Sequence, residues 1–179
     1  MKRIFCTFLS WTLILYACST EISSPASAPP VATANPSTAQ DCGYQWANKD
    51  LPELTTSFQQ SIQELQAEAQ ASAYAFGENC LRSDGSVAGF SAMETDFNIS
   101  LQVRDLTNES DLGEWIVKVM RVIEKLPKEQ IQGPRPGLVS ITFQSTSTQK
   151  MINFYTNKYQ ALEPGLSNPE VYQRLQVPQ

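Results

Sequence analysis

Between Leu51 and Phe76 apolar residues recur at steps of three and four: Leu51, Leu54, Phe58, Ile62, Leu65, Ala69, Ala73 and Phe76. Side chains at those spacings share one face of an α-helix, so the pattern predicts a single amphipathic helix over 51–76. Asp50 is placed to cap it, Pro52 suits its first turn and Gly77 is a stop signal. The stripe lies between two cysteines, Cys42 and Cys80, and that restricts it further. A helix over the whole stripe is about 39 Å long. The segments that flank it span at most about 30 Å and about 13 Å when extended. A Cys42–Cys80 bridge therefore requires residues 43–50 to run back along the helix nearly extended, or a helix shorter than its stripe. The alternation of Tyr44 and Trp46 suits an extended segment.

The other two cysteines lie near the N-terminus. Lys2 and Arg3 precede a mostly apolar run, Ile4 to Ala17, which is too short to span a bilayer and has the layout of a secretory leader. Leu15-Tyr16-Ala17-Cys18 resembles the lipobox of bacterial lipoproteins: an aliphatic residue three before the cysteine and a small one just before it. The resemblance covers these first residues alone. It implies cleavage after Ala17, a diacylglyceryl group on Cys18, and membrane lipid as a partner through that group. Ala26-Ser27-Ala28 offers an alternative, an ordinary cleavage site.

Residues 18–41 are rich in Ser, Thr, Ala and Pro, with almost no large apolar side chain to offset the entropy of ordering. They read as a tether with a reach of roughly 25–30 Å. The expected organisation is a signal peptide at 1–17, a lipidated cysteine and tether at 18–41, and a globular domain at 42–179. That places the protein outside the cytoplasm, lipid-anchored to a bacterial membrane. Cys6 leaves with the leader and Cys18 carries lipid, so Cys42 and Cys80 remain as a pair. In an exported protein such a pair reads as a disulfide, worth about 4 kcal/mol for this loop length; free thiols are the alternative, and no CxxC suggests redox chemistry.

Composition excludes several functions. The chain has no histidine, so Ser-His-Asp triads, Cys-His dyads and HExxH zinc sites are ruled out. Without Lys2 and Arg3, the 13 basic residues fall to 11 against 18 acidic. That balance disfavours nucleic acid, whose binding needs phosphate neutralisation. No pattern indicates a cofactor or a resident metal.

Beyond the first helix, strands are expected at 80–84 and 87–92 around Asp84-Gly85, and over 93–103, where Phe97, Ile99, Leu101 and Val103 alternate with Asp96, Asn98, Ser100 and Gln102. A second helix takes Leu112, Trp115, Ile116, Val119, Val122, Ile123 and Leu126 as its apolar face. Asp111 and Glu114 act as its capping pair, and Pro127 ends it. Strands at 138–144 and 151–159 follow, then a short helix from Asn168 with Val171, Tyr172 and Leu175 inward. The order helix, two strands, helix, two strands predicts an α+β two-layer sandwich: a four-stranded antiparallel sheet with helices on one face.

Three groups of residues are candidates for function. Lys118, Arg121, Lys125 and Lys128 form a basic stripe, and Arg135 sits in the proline-stiffened loop Gly133-Pro134-Arg135-Pro136-Gly137. Together they are an interaction face for an acidic partner or anionic headgroups, or a solvated helix face. Glu78, Asp84, Glu94 and Asp96 are a carboxylate group for acid–base work or a hard cation, or ordinary strand surface. Tyr44 and Trp46 are a stacking surface for a sugar, or minor core. The expectation is a non-enzymatic binding or assembly module acting on another envelope protein or an extracellular ligand of unknown chemistry. The alternative is a carboxylate-dependent envelope hydrolase acting on glycan. A scaffold pairing through a sheet edge is a third reading.

Overall fold

The structure, a computed structural model, describes residues 42–176. The leader, the Cys18 lipidation site and the tether lie outside the described residues. The elements are β1 (Gly43–Asp50), α1 (Pro52–Leu65), β2 (Gln70–Leu81), β3 (Val87–Gln102), α2 (Glu109–Lys125), a 3-10 turn (Lys128–Gln130), β4 (Leu138–Ser145), β5 (Thr148–Tyr155), α3 (Thr156–Gln160) and α4 (Asn168–Gln176).

The fold is mixed α/β as expected, but the sheet has five strands in the order β1-β2-β3-β4-β5. Three of its pairings are antiparallel, while β3 and β4 run parallel. A parallel pair cannot be closed by a hairpin and needs a crossover, which α2 and its following turn supply. The expected four-stranded, wholly antiparallel sheet is thus corrected on both counts. The strand missing from that expectation is β1, formed by the extended segment before the first helix.

The first helix is also shorter than its stripe. It ends at Leu65, where Gln66 turns extended (φ −152°, ψ 112°), and the chain returns as β2. Ala69 and Ala73 fit a helical stripe by spacing. They also belong to a period-two series, Ala69, Ala71, Ala73 and Ala75, all buried. Gly77, expected as a helix stop, lies inside β2 at a bulge, where an added Cβ would fall 2.1 Å from the Ser91 carbonyl oxygen. Both geometric routes to the Cys42–Cys80 bridge are therefore taken. The helix is short, β1 runs back extended, and the cysteines are joined with their Cα atoms 5.0 Å apart.

The helices cover one face of the sheet. Phe97, Ile99 and Leu101 of β3, Val139, Ile141 and Phe143 of β4, and Ile152 and Phe154 of β5 meet Leu54, Phe58 and Ile62 of α1 and Leu112, Ile116, Val119 and Met120 of α2. Phe58 packs edge-to-face on Phe97, with ring centroids 5.2 Å apart. Helix α4 buries Val171, Tyr172 and Leu175 and crosses α2 at Gly113, where a Cβ would sit 1.8 Å from the Asn168 carbonyl oxygen. The N-cap of α2 is Asn108, not Asp111. Its side chain accepts from the backbone N–H groups of Ser110 and Asp111.

The small alanines of β2 let α1 come close enough to complete the strand's free edge. Thr55 Oγ1 accepts from Ala73 N–H and donates to the Ala73 carbonyl. One turn on, Gln59 donates to the Ala69 carbonyl and accepts from Ala71 N–H. Gln66 does the same for Gln102, donating to its carbonyl and accepting from its N–H. A carboxamide carries one acceptor and a donor side by side, as a peptide group does, so these glutamines stand in for a neighbouring strand.

Candidate functional site

The opposite face of the sheet carries no helix among the described residues, and the strand register arranges its side chains in rows. Asn98, Ser140 and Asn153 stand side by side across β3, β4 and β5. The next row is Ser100, Thr142 and Met151, and the third is Gln102, Gln144 and Gln149. On β2, Ser72 extends the first row and Gln70 the second. None of these residues is charged. Gln102 Nε2 donates to Gln144 Oε1 at 2.7 Å, so part of the third row is engaged within itself. The first two rows form the floor of a concavity of about 770 Å³, with Gln59 and Gln63 of α1 also lining it.

The adjoining row on this face holds Tyr74, Asp96, Leu138 and Tyr155, with Asp50 at the β1 end. The two tyrosines thus stand toward opposite ends of the neutral patch. Burial raises the Tyr74 hydroxyl above its ordinary pKa, with a smaller push from Asp96 and Glu94. Farther along, Trp46 lies against Phe76 in a near-parallel stack, 5.3 Å between centroids and 11° between planes. Trp46 is 58% exposed and Tyr44 71% exposed. The two are surface on an edge strand, not minor core.

The carboxylates are dispersed. Asp84 lies at the tip of the β2–β3 hairpin, where its Oδ1 accepts from Ser86 N–H. The Ser86 hydroxyl, then that backbone bond, hold its pKa below the usual carboxylate range. Glu78 sits across from Trp46 and Ser91. Glu94 faces Phe76 across the ladder, and Asp96 faces Tyr74. Asp96 is only 6% exposed, and its Oδ1 accepts from Leu138 N–H at 2.8 Å, where the parallel ladder begins. Burial pushes its carboxyl up, and the Leu138 bond offsets part of the shift. Glu94 is raised by desolvation and then by the Asp96 charge, with Arg135 acting in the opposite sense. Of the four, only Glu94 lines the shallow depression formed with Arg135, Pro136, Tyr155 and Asn157. Among the described residues, no group of three or more acidic or cysteine side chains is placed to hold a metal ion.

The basic stripe Lys118, Arg121, Lys125 and Lys128 is on the helical side, while Arg135 lies at the rim, beside Glu94 and Tyr155 as well as the helical cleft. Lys118 pairs with Glu114 at 2.6 Å and lies over the Trp115 ring. Arg121 and Lys125 are exposed. Lys128 and Arg135 come together at a cleft of about 540 Å³ whose apolar lining includes Phe97, Met120, Ile123 and Leu126. The loop that carries Arg135 is not a free tip. Thr95 Oγ1 donates to the Gln132 carbonyl and accepts from Gln132 N–H, and Arg135 N–H donates to the Met93 carbonyl. Gly137 passes so close that a Cβ would fall 1.7 Å from the Thr95 carbonyl oxygen. The loop is a strap along the β3 edge, and its glycines serve that approach.

Sequence reasoning singled out neither the neutral rows nor their alignment. A signal was present: three strands carry uncharged polar side chains at alternate positions, 98/100/102, 140/142/144 and, apart from Met151, 149/151/153. Their lateral alignment depends on the parallel β3–β4 register, which no local pattern reveals. No helix among the described residues is long and apolar enough to cross a membrane. No family model matches this chain, and neither a curated protein nor a solved structure matches it.

Proposed function

We propose that this protein is an extracytoplasmic lipoprotein, held to a bacterial membrane through Cys18, that works as a non-enzymatic binding module and presents the helix-free face of its sheet to its ligand. One observation carries the reading: that face is a concavity floored by hydrogen-bonding groups, positioned on strands whose other side is fixed in the core. Sites built on rigid elements hold their contact groups in place before binding, so little order is lost when a ligand docks. The Ser-, Thr-, Ala- and Pro-rich composition of 18–41 supports the reading of an anchor, a spacer and a binding domain.

In-cell photo-crosslinking tests it. Probes at Asn98 and Thr142 sample the open face, and probes at Arg121 and Lys128 sample the basic side. Adducts from the first pair alone are expected. Adducts only from the second pair would move the binding surface to the α2 side and the cleft at Lys128 and Arg135, with an envelope protein as partner. Labelling with an alkyne fatty acid that disappears in Cys18→Ser is the expected result for the anchor.

The hydrolase alternative is supported by Glu94, a carboxyl raised by burial beside Asp96 and within the field of Arg135. Asp96 is already committed to Leu138 N–H, which leaves Glu94 without a free carboxylate partner in its depression. Glycan turnover abolished by Glu94→Gln would establish that alternative.

A further inference from the structure

We infer that the ligand of the open sheet face is an uncharged glycan chain, lying across the strands over the rows of Asn98 and Ser100. The inference rests on the binding-module reading and names the chemistry that its surface selects.

Charge, or its absence, is the first observation. A solvent-facing strand position can carry Lys, Arg, Glu or Asp at no packing cost, and 31 of the 179 residues of this chain are charged. The two rows that floor the concavity have none. Nucleic acid, an anionic headgroup or an acidic wall polymer would find no cation in these rows, and the β3 carboxylate of the adjoining row, Asp96, is buried and held by Leu138 N–H.

The second observation is the kind of polar group present. Asn153 offers a carbonyl acceptor and two N–H donors on one plane, Asn98 offers what its side-chain bond with the Tyr74 hydroxyl leaves, and Ser140 and Thr142 add hydroxyls that both donate and accept. A sugar ring with vicinal hydroxyls needs that mixture, since each hydroxyl is donor and acceptor at once. The third is the placement of aromatic rings. Tyr74 and Tyr155 both lie in the row next to that of Asn98, at its β2 and β5 ends. A pyranose presents C–H groups on its flat faces, and these pack on aromatic rings while the equatorial hydroxyls point outward to amides.

Shape excludes two other occupants. A second copy of the same face would bring concavity against concavity and leave a void at the centre. A peptide docked by apolar anchors would find Met151 as the one apolar side chain directed from these rows. A thin polar chain fits both the form and the chemistry.

The test is a glycan array of neutral and anionic oligosaccharides, probed with the full chain in detergent micelles. Retention on neutral glycans is expected, with affinity nearly constant between about 50 mM and about 500 mM salt because no ion pair is screened. Asn98→Asp and Asn153→Asp are expected to weaken binding by about tenfold or more, since each replaces donors with a charge. Asn153 is exposed, so an unchanged melting temperature is expected of Asn153→Asp and separates lost binding from lost fold; Asn98→Asp also alters the bond to Tyr74 beside Asp96, and its binding is compared at a temperature where it is fully folded. Lys125→Gln, on the helical side, is expected to leave binding unchanged. Binding confined to anionic glycans, a steep salt dependence, or full affinity in both Asn→Asp variants would overturn the inference. An array with no bound glycan, alongside adducts from photoprobes at Asn98 and Thr142, would overturn the glycan and keep the binding face. No adducts from that face either would remove both.

Discussion

The two faces of the sheet are built from the same strands and differ in what decides each residue. On the helix-covered side, position after position is apolar and fully buried, and Phe58, Ile141 and Phe143 have no freedom to vary in volume. On the open side the three rows from Asn98 to Gln149 make little packing demand, and all of their residues but Met151 are polar without charge. Stability explains the first face. It places a weaker demand on the second, since an exposed strand surface accepts many polar side chains. The residues that packing leaves undetermined are the ones the proposed binding face would use.

The comparison breaks if the faces contribute alike to stability. Phe58→Ala or Ile141→Ala is expected to cost about 2–5 kcal/mol in chemical denaturation, from lost burial and the cavity left behind. Thr142→Ala, in the neighbouring position on the same strand, is expected to stay within about 0.5 kcal/mol. Similar losses would mean that the open face is covered in solution.

Loss of the disulfide is expected to have a somewhat smaller effect. Replacing Cys42 and Cys80 by serine is expected to cost about 2–4 kcal/mol. The loss of hydrogen-exchange protection should centre on β1, whose partners are otherwise ladder bonds on an exposed edge. Uniform loss across the sheet would contradict that picture.

The edge contacts of α1 sharpen the comparison from the side. Gln59→Ala leaves Ala71 N–H and the Ala69 carbonyl without their side-chain partner. A cost of about 1–3 kcal/mol is expected, with faster exchange at the Ala71 amide.

The smallest effect is a pH dependence at the boundary of the open face. Burial raises the Asp96 carboxyl, so the native chain binds that proton more tightly than the unfolded chain, whose value is about 3.9. Stability from this group therefore falls as pH rises from the unfolded value through the raised folded one. Asp96→Asn keeps an acceptor for Leu138 N–H and removes the charge. It is expected to flatten that slope and to be slightly more stable at neutral pH. A variant less stable at neutral pH, with the slope intact, would show that the charge itself holds the start of β4.

Much of the inner face was legible in the sequence. Phe97, Ile99 and Leu101 announce a half-buried strand by alternation, and the spacing of Val171, Tyr172 and Leu175 is enough to mark the inward side of the last helix. The end of α1 was not legible. Gln66, Ala67 and Glu68 contain no glycine or proline to mark a turn, and alanines at 69 and 73 satisfy both a period of 3.6 and a period of two. What ends the helix is tertiary: Gln66 has a partner in Gln102, 36 positions away. The Gly133–Gly137 segment reads as an exposed stiff loop for a related reason, since the requirement on Gly137 comes from Thr95 on another strand. The candidate site was half legible. Its residues were visible as a polar strand face, while their alignment depends on the parallel pairing of β3 with β4.

The Cys42–Cys80 bond has a mechanical consequence. Under the proposed anchoring at Cys18, a pulling force would enter the domain through residue 41, and Cys42 immediately precedes the edge strand. An unbridged edge strand loaded from its end would peel, its ladder bonds parting one after another under small force. The bridge carries the load past those bonds and into β2, which is paired on both sides. In a single-molecule pulling measurement with the handle at residue 41, reductant is expected to add an early, weak rupture that the oxidised protein lacks.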